Sequence, residues 1–218
     1  IRTHVATDPA TATAGIAFPG QAFPGQGDVI ASFSLIGPAN FDLLKPDITG
    51  PGVNVLASVA RWNRVGPPGS LNPALNGATG LLSGTSMSSP HIAGAAALVR
   101  ALNPALTPSE VKSAMVSTAR TQGVFKSSAT NPATVPSDPF DRGGGRVDLT
   151  RAAKAGLVMN ETGANFTAAN PATGGNPATL NLPSLQLRNC VGTCTVNRTV
   201  RSTATASITW TATVDGLP

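Results

Sequence analysis

Short apolar runs separated by glycine and proline set the pattern from Asp28 onward. "DVIASFSLIGP" is a β-rich stretch closed by Gly37 and Pro38, and "LLKPDITGPGVNVLASVA" turns at Gly50 to Gly52 before the strand-like "VNVLASV". Two strands are expected there. Pro, Gly and Asn punctuate "RWNRVGPPGSLNPALNGATG", a long surface loop of the kind that often borders a functional site. The period then changes. "IAGAAALVRAL" is small and apolar on every side, the pattern of a helix buried inside a domain, and Asn103 and Pro104 end it. "TPSEVKSAMVSTA" announces a second helix by its chemistry: Thr107 and Glu110 form a capping box, Pro108 takes the first helical position, and Val111, Ala114, Met115 and Thr118 share one face. "FDRGGGRVDLTRAAKAGLV" adds a glycine-rich turn and a short helix beginning near Asp148. This order of elements implies a layered α/β domain.

From about Glu161 the text "ETGANFTAANPATGGNPATL" has no apolar period, and residues 161–179 are expected to be a linker. Beyond them the period is two. Ile208, Trp210, Ala212 and Val214 alternate with Ser207, Thr209, Thr211 and Thr213, which predicts a half-buried antiparallel strand. With "LNLPSLQL" and "TVNRTV" it would open an all-β module over 180–218, about three strands where a sandwich has about seven.

Composition narrows the function. The 218 residues carry a formal charge of +5, yet the arginines stand singly and only 4% of residues are aromatic, so a nucleic-acid surface has neither a basic run nor stacking side chains. The uncharged stretch Ile92 to Val99 is far short of the ~20 apolar residues of a membrane span. "IRTHVATDPATATAG" lacks the charged start, apolar middle and cleavage site of a signal peptide.

The remaining chemistry gathers at "LLSGTSMSSPHIAG". Ser86 at a helix entry is either an N-cap or a nucleophile whose developing oxyanion could accept from the Ser86 N–H, a contribution of about 3 kcal/mol per donor. Gly84 lets the backbone turn and leaves room for substrate beside Thr85, while Pro90 falls at the end of the first turn. The string decides between the two. Gly84, Thr85, Ser86, Ser88, Pro90, Ala93 and Gly94 keep the spacing of the nucleophile motif, so "SGTSMSSPHIAG" resembles that of the subtilisin-like serine peptidases, the subtilases. The GxSxG elbow fails, because Ser88 stands where its second glycine belongs.

The resemblance extends from about Val29 to Val158. "ASFSLIGP" is similar to the family's ASFSSRGP, "LLKPDITGPGVNVLA" to KPDITAPGVNILA and "GGGRVDLTRAAKAGLV" to GAGxVNPxxAxxPGLV; Leu35 and Ile36 stand where the family has Ser-Arg, and Gly50 where it has Ala. "LNLPSLQL…CTVNRTV" resembles the opening of the fibronectin-III-like module of larger subtilases, and "HVATDPATATAGIAF" the return from an inserted protease-associated domain. The resemblance implies an α/β, three-layer fold with a parallel sheet, of which this chain holds the C-terminal part. Residues 1–160 would be catalytic domain, with 1–15 the return from the insert, and 161–179 the linker to the truncated β domain at 180–218.

It also implies that Ser86 is the last member of an Asp, His, Ser triad whose other members lie upstream. His91 is turned away from Ser86 by helical geometry, and His4 in "THVA" only echoes the family's HGTHVA block, whose catalytic histidine is the first; too few residues separate His4 from Phe33 for that block, and His4 is expected to be an ordinary linker-helix residue. Asp47 in "KPDITG" belongs to a different motif, and the asparagine donor of the oxyanion hole has no counterpart. The chain is therefore expected to be a serine endopeptidase by family, with Gly84 and Thr85 touching a protein or peptide substrate, inactive without the upstream part of the same polypeptide. A degenerate scaffold serving adhesion or binding is the alternative.

An exported peptidase would pair Cys190 with Cys194 across the "VGT" turn rather than leave free thiols, and would act outside the cell. No cofactor and no metal site is expected, since two cysteines cannot complete a zinc site and no carboxylate cluster offers a calcium site. Asn160, Asn165 and Asn197 open NxT sequons; the Ala-, Thr- and Arg-rich text looks bacterial, and they are left unassigned.

Overall fold

The computed structural model describes residues 26–39, 41–58, 79–127 and 134–214. In chain order the elements are β1 (Val29–Ile30), β2 (Val55–Ser58), β3 (Thr79–Leu82), α1 (Thr85–Leu102), α2 (Pro108–Ser117), β4 (Phe125–Ser127), β5 (Thr134–Pro136), α3 (Pro139–Arg142), α4 (Leu149–Ala152), β6 (Leu157–Val158), α5 (Gly163–Ala168) and β7 (Arg201–Ser202). The result is an α/β body with mixed pairing. β1 runs parallel to β4, which runs antiparallel to β5; β2 and β3 form an antiparallel pair with Leu56 opposite Leu81, and a parallel bridge joins Thr49 to Arg146. Of the surface loop expected over 61–80, residues 61–78 lie outside the described residues, as does His4, while Thr79 and Gly80 open β3 instead.

The core sits where α1, α2, α4 and β6 converge, around Ala95, Val99, Val111, Ala114, Met115, Ala152 and Val158. α2 starts as its sequence predicts. The Thr107 hydroxyl accepts from the Glu110 N–H at 3.2 Å, and Glu110 Oε2 accepts from the Thr107 N–H at 2.9 Å, so both orphan donors are satisfied reciprocally with Pro108 at the first helical position. Asp148 likewise caps α4 by accepting from the Arg151 N–H.

α1 departs from expectation in two ways. It is not buried on all sides: Ala95 and Val99 are covered, whereas Leu98 is 56% and Leu102 70% exposed. Composition reports how apolar a helix is on every face; it does not say which faces have neighbours, and among the described residues α1 meets them on one face only. Pro90 also lies deeper than the first turn. As the sixth residue of the helix it removes the N–H that would bond the carbonyl four residues back, which belongs to Ser86.

The C-terminal segment follows the body closely. β7 pairs antiparallel with β6, Arg201 Nε donates to Glu110 Oε1 at 2.6 Å, and Thr203 bonds the Ala155 and Gly156 carbonyls. The strand expected over 207–214 does not form: those residues have no ladder partner, because Trp210 lies against Gly156 rather than on a pleated sheet. Over 161–179, α5 and two single 3-10 turns are held by side-chain caps from Thr162, Asn170 and Asn176. Such local capping needs no apolar period. The buried Glu161 carboxylate accepts from Asn165 Nδ2 and from the Thr162 and Asn181 amides. Burial alone would raise its pKa, and these donors outweigh it, holding the carboxyl below its ordinary value.

Candidate active site

Ser86 is the second residue of α1, and the N-cap is Gly84, so Ser86 does not cap the helix. Its N–H falls among the four at a helix start that have no intrahelical acceptor, and its exposed hydroxyl has no partner among the described residues. An N–H and a hydroxyl therefore converge at the positive end of an 18-residue helix.

The backbone on both sides of Ser86 is fixed by the turn 50–54. The Gly84 N–H donates to Gly52 O at 2.8 Å, the Ser88 hydroxyl donates to Gly50 O at 2.9 Å, and Ser83 Oγ accepts from the Asn54 N–H at 2.8 Å. Two glycines permit this approach. A Cβ on Gly52 would lie 2.9 Å from Gly84 O, and one on Gly50 would lie 2.8 Å from Ile92 Cδ1.

The turn is itself anchored to the glycine-rich loop 142–146. Thr49 N–H donates to Gly145 O at 2.8 Å and its hydroxyl to Arg142 O at 2.9 Å, while Gly144 N–H donates to Asp47 O at 3.0 Å. Gly143 and Gly145 adopt φ of 63° and 121°, where a Cβ would strike the Pro46 and Arg120 carbonyl oxygens. Asp47 completes the anchor through ion pairs to Lys45 at 2.5 Å and Lys112 of α2 at 2.7 Å. Burial pushes the Asp47 pKa up, but the two ammonium groups pull it down further, so it sits below its ordinary value. Asp47 is accordingly part of a structural ion cluster.

His91 is exposed on α1 with Nδ1 2.8 Å from Met87 O, a bond along its own helix. A cleft of about 860 Å³ runs beneath the first turn, walled by Gly52, Gly84, Thr85, Ser88, Ile92 and Lys112; Ser86 itself is not on its wall. Leu35 is 89% exposed at the position that distinguishes "ASFSLIGP". Cys190 and Cys194 are joined by a disulfide with Cα atoms 5.9 Å apart. The supporting roles of Ser88 and of the 142–146 loop went unread in the sequence, although three consecutive glycines between two arginines were a visible signal.

The family model described as "Subtilase family" matches residues 10–156. This chain belongs to the subtilase family. It is 40% identical to subtilisin-like protease SBT1.3 of Arabidopsis thaliana over 136 residues, covering 61% of the chain and 17% of that protein. It is also 38% identical to SBT1.7 over 167 residues, covering 74% and 22%, and 35% identical to SBT4.13 over 213 residues, covering 85% and 28%, both from the same plant. This subtilase chain therefore spans between about a sixth and somewhat over a quarter of the length of these relatives. They are plant proteins, and none of them supports the bacterial origin suggested by composition. Among the described residues of the subtilase segment, no imidazole and no carboxylate bonds Ser86.

Proposed function

We propose that this chain is the nucleophile-bearing part of a secreted serine endopeptidase that cleaves proteins through an acyl-enzyme on Ser86. One observation carries the reading: among the described residues the Ser86 hydroxyl and N–H have no partner, at a helix start whose flanks are pinned by hydrogen bonds to Gly50, Gly52 and Asn54. A rigid backbone around a free hydroxyl suits a reacting group, since geometry held in advance lowers the barrier. In the reaction the Ser86 oxygen attacks the scissile carbonyl, a base takes its proton, and the C–N bond breaks as the amine leaves with a proton. Water then releases the acyl group.

The base, its orienting carboxylate and a second oxyanion donor belong to the upstream part of the same polypeptide in this reading, and Gly84 and Thr85 border the substrate. Residues 180–218 are the opening of a fibronectin-III-like module in this reading, which is supported by the resemblance of "LNLPSLQL" and "CTVNRTV" to that module in larger subtilases. The intact parent should bind a fluorophosphonate probe at Ser86, and Ser86→Ala should lower its turnover by about 10⁶. The chain alone should remain unlabelled. Retained activity in Ser86→Ala would overturn the nucleophile assignment, and stoichiometric labelling of the isolated chain would overturn the need for upstream residues.

A further inference from the structure

α1 by itself holds Ser86 loosely. The Ser86 N–H is one of the orphan donors at the helix start, and the N–H that would bond its carbonyl four residues on is missing because residue 90 is proline. The first amides of α1 to find an acceptor, those of Met87 at 3.0 Å and Ser88 at 3.3 Å, both use Gly84 O. The place of Ser86 is set by contacts outside the helix.

Two of these act ahead of it. The Gly84 N–H donates to Gly52 O and the Asn54 N–H to Ser83 Oγ, each at 2.8 Å. Beyond Ser86, from residue 87 to residue 92, the one hydrogen bond to another part of the chain among the described residues is that of the Ser88 hydroxyl, which donates to Gly50 O at 2.9 Å, 38 residues back. The acceptor is held in turn: the Thr49 N–H donates to Gly145 O at 2.8 Å, and Thr49 O accepts from the Val147 N–H at 3.0 Å. A Cβ on Gly50 would lie 3.2 Å from the Ser88 oxygen, so glycine leaves the hydroxyl its approach. Ser89, beside it, is exposed and has no partner among the described residues.

We propose that Ser88 is a positioning residue for the peptidase reaction. Its bond to Gly50 O fixes the turn beyond Ser86, and with it the direction in which the Ser86 oxygen and N–H meet a substrate carbonyl; this rests on the reading of Ser86 as the nucleophile. Without the bond the turn pivots about its remaining tie at Gly84. Gly84 and Thr85, which border the substrate, keep that tie, so the loss falls on the attack and leaves binding unchanged.

The test compares Ser88→Ala, Ser88→Thr and Ser89→Ala in the intact parent enzyme, with kcat and KM measured on a peptide substrate and competent sites counted by fluorophosphonate titration run to completion. A displacement of about 1 Å can cost about 100-fold in rate, and with the ties at residues 83 and 84 intact Ser88→Ala should lower kcat per site by about tenfold at unchanged KM. Ser88→Thr, which keeps the donor, should recover most of that loss, and Ser89→Ala should turn over like the parent. Counting sites separates folding from positioning, since a poorly folded variant loses sites while those that remain still report turnover. The parent's kcat in Ser88→Ala, a loss confined to KM, or an equal loss per site in Ser88→Thr or Ser89→Ala would overturn the proposal. Ser86→Ala, run alongside, tests the nucleophile separately, and turnover there would overturn that reading whatever Ser88 does.

Discussion

Ser88 holds Ser86 in place without touching its hydroxyl. The bond from Ser88 Oγ to Gly50 O ties the first turn of α1 to a turn nearly forty residues earlier, and Gly52 leaves that junction its clearance. Gly52→Ala should therefore destabilise the chain by about 1–3 kcal/mol through overpacking, since the new Cβ would sit 2.9 Å from Gly84 O and 3.1 Å from Ser88 Cβ. Gly94 provides the contrast. It lies in the same helix with nothing among the described residues within 4 Å of an added Cβ, so Gly94→Ala should stabilise by about 0.5–1 kcal/mol through the lower entropy of the unfolded chain. Urea denaturation of the two variants checks both signs. The motif identified Ser86 because its spacing is local, whereas Ser88 and Gly52 look like ordinary motif positions until the facing backbone is seen.

At the scale of elements, one carboxylate of α2 links its own cap to Arg201 of the C-terminal segment. Glu110 is buried, with one oxygen in the capping box and the other on Arg201, 91 residues away. The Arg201 guanidinium holds its pKa below the ordinary 4.5, burial opposes this, and the Thr107 N–H adds to the lowering. A depressed folded pKa stabilises above the unfolded value. That contribution is complete above about pH 4.5 and is lost as the pH falls through the lower folded value. Unfolding midpoints followed from about pH 7 to about pH 3 should decline on the acid side, with a shallower limb in Glu110→Gln. Glu110→Ala should cost about 1–2 kcal/mol at neutral pH, most of it the lost cap, since the half-exposed Arg201 can return to water. Here the sequence was half legible. Thr-x-x-Glu before an apolar face announced the cap, but nothing local pointed to Arg201.

For the whole molecule, what remained illegible is coverage. The apolar faces of α1 and of the β2–β3 pair were visible as composition, yet which of them meet protein depends on partners distant in sequence, and Leu98, Leu102, Leu56 and Leu81 meet water among the described residues. The alternation at Ile208 to Val214 failed for the same reason, because a period of two describes a strand only where a ladder exists to receive it. Trp210 rests on the body instead. An added Cβ on Gly156 would come within 2.3 Å of its ring, so the seat of the Trp210 ring depends on the absence of that one atom. The contact also gives the segment an optical readout. In a Trp62→Phe background the indole of Trp210 is the sole long-wavelength fluorophore, and Gly156→Val should shift its emission to the red as the ring enters water. A spectrum that stayed in place would mean that the segment docks without its tryptophan; a shift would let a stopped-flow trace time its release from the body.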